Sequence, residues 1–124
     1  MKDILIVFLG SGVGGALRFL ISRLLASMFL STYPWGTFMV NIIGCFIIGL
    51  INGLFNNGTM QDGHMKLLLT VGFCGGFTTF SSFMNESYLL SNGGNVITLV
   101  LYTTLSFVIG MLALLGGYLI ANKL

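Results

Sequence analysis

Apolar residues fill this chain in four long blocks separated by short polar stretches rich in Gly, Asn, Ser and Pro. The blocks cover residues 4–30, 35–55, 67–90 and 96–122. A bilayer's hydrocarbon layer is about 30 Å thick and takes about 20 helical residues to cross. Each block is therefore predicted to be a membrane-spanning helix. The connections, Ser31 to Pro34, Asn56 to Lys66 and Ser91 to Asn95, are short and full of turn formers, so successive helices should be antiparallel. The pattern predicts a single all-α domain over residues 1–124, with no soluble portion.

Composition agrees with the pattern. Of 124 residues, 56% are hydrophobic and 6% charged, and the mean hydropathy is +1.00, whereas soluble domains carry about 25% charged residues. The expectation is a multi-pass protein of the cell's inner or plasma membrane, with lipid as its surroundings and no nucleic acid partner. Lys2 followed by an apolar run resembles a signal peptide, but Arg18, Arg23 and the missing small-residue cleavage site argue that the segment is retained.

Four spans place both termini on one side together with the Asn56 to Lys66 loop, which collects Lys2, Lys66 and Lys123 there against Arg23 on the other. Lys and Arg in short loops set orientation, and so small a difference predicts insertion both ways round. Four helices around a shared centre leave no room for an aqueous path, so a pore must lie between subunits. Small residues permit close helix approach, and Gly49, Gly53, Gly110, Ala113, Gly116 and Gly117 supply surfaces that favour an oligomer.

Gly10, Gly12 and Gly15 match the spacing of a dinucleotide-binding GxGxxG turn. That motif needs an acid about 20 positions on, and no acid occurs between Asp3 and Asp62. The glycines read instead as close packing around Arg18. Cys45 and Cys74 lack metal or redox spacing and read as small buried hydrophobes. His64, in a polar loop with Asp62 and Lys66, reads as a solvated side chain.

The chemistry concentrates in the polar residues at membrane depth, where intramembrane ionisable groups are functional candidates by default. Arg18 lies about 14 residues, or about 21 Å, into the first span; it either pairs within protein, with Glu86 of the same or a neighbouring chain, or faces a water-filled vestibule. Arg23 reads as snorkelling. In the second span Thr37, Asn41, Gly44, Ile48 and Asn52 form a partly polar stripe at helical spacing. Asn41 there either makes an interhelical hydrogen bond or faces an ion. Tyr102, Ser106 and Gly110 form a similar track in the fourth span.

The third span carries Gly72-Phe-Cys-Gly-Gly-Phe-Thr-Thr-Phe-Ser-Ser-Phe83. Irregular backbone survives at membrane depth only inside protein or along a cavity. A helix break near Gly75 and Gly76, within Gly75 to Thr79, would free carbonyls for a cation and N–H groups for an anion. Phe80 and Phe83, three apart, share a face. Their positive ring edges could touch a dehydrated anion.

These residues carry a resemblance. The blocks Gly14-Gly15-Ala-Leu-Arg18, Gly36-Thr37-Phe-Met-Val-Asn41-Ile-Ile-Gly44 and Gly72 to Phe83, followed by Glu86, make the chain similar to the Fluc (CrcB) fluoride channels over essentially its whole length. The resemblance implies a homodimer of oppositely oriented subunits, two fluoride pores along the interface, and one structural sodium ion at the centre. It maps sodium binding to the main-chain carbonyls of Gly75 and Thr78. It maps the pore aromatics to Phe80 and Phe83, the pore asparagine to Asn41, and the polar track to Tyr102 and Ser106. Thr37, Thr79 and Ser81 would add hydroxyls, and Arg18 would give the vestibule its positive potential. Glu86 is expected without an assigned role. Ser82 departs from the threonine of many relatives but keeps a hydroxyl.

The implied activity is passive fluoride export with no reaction catalysed. Hydrogen fluoride enters a cell, dissociates at cytoplasmic pH, and leaves fluoride that a channel releases without an energy source. The alternative is a small proton-coupled multidrug exporter, which needs a deep carboxylate; only Glu86 could serve. A structural assembly factor would explain the glycines but not the hydroxyl and phenylalanine run.

Overall fold

The computed structural model describes residues 1–124 as an all-helical chain with four helical units long and apolar enough to cross a membrane. The first span is α1 (Lys2–Met28), the second α2 (Trp35–Asn56) and the fourth α6 (Val96–Asn122). The third, Gly63–Asn92, is composite. It contains α3 (Gly63–Leu67), a π-helical stretch (Leu68–Cys74), α4 (Gly75–Phe77), an interruption at Thr78 and Thr79, and α5 (Phe80–Asn92). It starts ahead of the expected Leu67 because the Asp62 carboxylate caps α3, accepting from the His64 N–H at 2.9 Å and the Met65 N–H at 3.4 Å.

The ends of the spans meet as an even number of crossings requires. His64 Nε2 lies 3.8 Å from Asp3 Oδ1, and Asn56 Nδ2 donates to Asn122 Oδ1 at 2.9 Å. Both termini and the α2–α3 loop therefore share one side, and the chain is a multi-pass membrane protein.

Two glycine-lined seams hold the helices together. In the first, α2 and α6 run parallel: a Cβ on Gly49 would collide with the Leu114 carbonyl, one on Gly117 with the Phe46 carbonyl, and one on Gly53 would sit 2.6 Å from the Tyr118 carbonyl oxygen. Gly49, Gly53 and Gly117 are thus consumed inside the subunit. This corrects their assignment to an oligomer surface: second and fourth helices are spatial neighbours, and the close approach is spent between them. Gly116 is open, with nothing within 4 Å of an added Cβ.

In the second seam α1 packs on the third span. An added Cβ on Gly10 would lie 2.7 Å from the Leu68 carbonyl oxygen, and one on Gly14 would strike the Phe73 carbonyl. Gly76 presses against the Ser11 backbone in the same way. Of the GxGxxG glycines only Gly10 is so confined, since Gly12 has nothing within 4 Å. Between the seams, Phe38, Leu90 and Tyr102 form a small buried core flanked by Tyr33, Trp35 and Phe83.

Candidate ion pathway at the helix break

Two residues make the break. Thr78 (φ −86°, ψ 161°) and Thr79 (φ −150°, ψ 122°) are extended, while Gly75 (φ −62°, ψ −38°) is helical. The break therefore falls within the expected Gly75 to Thr79 segment but beyond Gly75 and Gly76, which continue the helix, Gly76 packing against Ser11 of α1. Thr78 closes the last turn with both its N–H (2.9 Å) and its Oγ1 (2.8 Å) donating to the Cys74 carbonyl. Thr79 then caps α5, its Oγ1 accepting from the Ser82 N–H at 3.2 Å.

Asn41 on α2 holds the break open. Its Oδ1 accepts the Thr79 N–H at 2.8 Å and its Nδ2 donates to the Thr79 carbonyl at 3.1 Å. A helical Thr79 N–H would have bonded the Gly75 carbonyl, which Asn41 now deprives of that donor. The Thr78 carbonyl accepts no hydrogen bond, and the Gly76 carbonyl accepts from Arg18 Nε at 3.0 Å. Thr78 reaches back to α2, where a side chain on Gly44 would collide with its methyl. Glycine at position 44 is thus a condition of the geometry.

Beside the break lies a groove of about 700 Å³. Asn41, Gly75, Thr78, Thr79, Phe80, Phe83 and Ser106 all line it. Phe80 is 73% exposed, so its ring is available beyond this chain. The Phe80 and Phe83 centroids are 6.1 Å apart, with the planes inclined at 45°. Ser106 Oγ is buried without a hydrogen-bond partner.

A second cluster sits behind Phe83, whose ring is 5.0 Å from that of Tyr102. Thr37 Oγ1 donates to Glu86 Oε1, and Tyr102 OH donates to Oε2 at 3.4 Å. Glu86, Thr37, Tyr33 and Trp35 line a separate cavity of about 640 Å³ under the α1–α2 turn. Burial pushes the Tyr33 phenol above its ordinary pKa, and its hydroxyl has no partner.

A family profile described as "CrcB-like protein, Camphor Resistance (CrcB)" matches residues 5–118. The chain belongs to the CrcB family. A protein named fluoride-specific ion channel FluC in Azobacteroides pseudotrichonymphae is 42% identical over 98% of both chains. One of the same name in Flavobacterium psychrophilum is 37% identical over 100% of both, and one in Gloeothece citriformis is 45% identical over 97% of this chain and 98% of its own.

In this CrcB chain the expected site residues do not all fall in one place. The groove gathers Asn41, Phe80, Phe83, Thr79 and Ser106 with the Gly75 and Thr78 backbone. Thr37 and Tyr102 stand apart from it, turned to Glu86, while Ser81 Oγ lies 3.4 Å from Thr79 Oγ1. Arg18 stands apart as well. It bonds the Gly76 carbonyl, so pairing with Glu86 does not occur within the subunit. Sequence reasoning missed Thr103, Cys45 and Cys74 as groove residues; helical spacing from Asn41 to Cys45, from Thr103 to Ser106 and from Cys74 to Thr78 was the available signal. It also missed the Thr37 and Tyr102 bonds to Glu86, which no local spacing encodes.

Proposed function

We propose that the protein is a fluoride-selective channel that releases fluoride passively, its groove forming one wall of a pore completed by a second, oppositely oriented subunit. The observation that carries this reading is the convergence of Asn41, Phe80, Phe83 and Ser106 on one groove, in a chain whose relatives are named fluoride-specific channels. Selectivity requires the pore to replace lost hydration. The exposed Phe80 ring offers its positive edge, and the buried Ser106 hydroxyl has no hydrogen-bond partner within the subunit. Arg18 adds positive potential near the break.

The groove also suits a structural sodium ion. Hard cations take oxygen ligands, and the Thr78 carbonyl, with no donor, and the Gly75 carbonyl, deprived of its helical one, are such oxygens. In a dimer each subunit would contribute both, and the ion would tie the two breaks together. No chemical reaction is involved.

The test is anion efflux from proteoliposomes read with a fluoride electrode. Fluoride flux should far exceed chloride flux, and equal fluxes would defeat the reading. Phe80→Ile and Phe83→Ile should each slow fluoride by about tenfold or more, since about 1.4 kcal/mol in the barrier is tenfold in rate, while the protein still elutes as a folded dimer. Undiminished flux in both would remove the aromatic edges from the pathway.

A further inference from the structure

We propose that the cavity under the α1–α2 turn binds a quaternary ammonium group, supplied by a soluble cation or by a lipid headgroup. Its walls come from the end of α1, the turn, the start of α2 and one residue of α5. At about 640 Å³ it falls in the range of small-molecule sites, roughly 300–1,000 Å³.

Glu86 is the single charged residue of the lining. Thr37 and Tyr102 donate hydroxyls to it, and no cation of this chain comes within ion-pair distance. Hydroxyl bonds orient a carboxylate without neutralising it, and a half-buried charge still calls for a counter-charge. Three aromatic rings line the same cavity. The Trp35 ring lies 5.6 Å from that of Phe29 and 4.7 Å from that of Tyr33, and all three line the cavity.

Aromatic faces attract cations through the ring quadrupole, Trp most strongly. A quaternary ammonium has no N–H groups to satisfy, so rings and one carboxylate suffice for it. An alkali ion needs several oxygen ligands, which an aromatic wall does not provide, and an anion would meet Glu86. The turn lies at a helix end, within reach of both water and headgroups.

Trp35 is the only tryptophan of the chain, so its emission reports on this wall. The full-length protein in a maltoside detergent is titrated with tetramethylammonium chloride, against potassium chloride at matched ionic strength. A saturable change in Trp35 emission is expected with tetramethylammonium alone. Glu86→Gln should weaken the apparent affinity by about tenfold. Phe29→Leu, which spares the carboxylate and keeps Trp35, should weaken the affinity by about threefold, read as a change of midpoint and not of emission amplitude because Phe29 touches the Trp35 ring. Nanodiscs of phosphatidylcholine and of phosphatidylglycerol separate the sources: weaker apparent affinity in phosphatidylcholine identifies headgroup occupancy, and equal affinity identifies a soluble cation. No saturable change, an equal response to potassium, or unchanged affinity in both variants overturns the proposal.

Discussion

At the scale of single residues, Asn41 does the most with the fewest atoms. One amide satisfies both polar groups of the Thr79 peptide, and so makes a stable conformation of what would otherwise be a costly gap in a membrane helix. Asn41→Leu keeps the bulk but leaves those groups unpaired, a loss of roughly 1–3 kcal/mol. A lower thermal unfolding midpoint in detergent and slower fluoride efflux are expected; a midpoint equal to wild type would show that the break stands without Asn41. Phe80 differs in kind, since its exposed ring holds little within the subunit and should affect flux without affecting folding.

At the scale of elements, the third span is assembled against its neighbours rather than specified locally. The α1 seam supplies a paired prediction: Gly14→Ala drives a methyl into the Phe73 carbonyl, whereas Gly12→Ala meets nothing within 4 Å. The first should lower the thermal midpoint and the second leave it unchanged or slightly raised, because alanine favours helix over glycine by up to about 1 kcal/mol. Equal effects would mean the seam yields more easily than its backbone contacts imply. The same seam explains what could be read in advance. Span number, order and approximate ends follow from hydropathy alone, because only long apolar helices satisfy a membrane. The existence of a break was legible in Gly72 to Phe83, but its place was not. Gly75 and Gly76 suggest flexibility, yet Gly76 is small because Ser11 presses on it, and the chain opens two residues later where Asn41 can reach. The π-helical stretch and the Glu86 partners were illegible for the same reason: they depend on residues of other helices.

At the scale of the whole molecule, a groove open on one side is half of an enclosure, and the proposed central ion gives a way to test the other half. Exchange of sodium for a larger monovalent cation during prolonged dialysis is expected to lower the dimer fraction or the fluoride flux, seen by size-exclusion chromatography and by efflux. Full dimer and full flux after exchange would count against a cation held by Gly75 and Thr78. One feature of the single subunit bears on how such an assembly could move. Its two seams, α2 with α6 and α1 with the third span, are backbone pressed on backbone and cannot yield gradually. Between them run polar ties, Asn41 to Thr79, Thr37 to Glu86 and Tyr102 to Glu86, together with the Phe38, Leu90 and Tyr102 core and the approach of Gly36 to the Ser22 backbone. In mechanical terms the subunit is two stiff boards glued over part of their length and pinned beside the break by Asn41, so its compliance gathers at the pinned part. Strain from heat, bilayer tension or a bound ligand would be felt first beside the groove, and the outer faces of the boards would move as units.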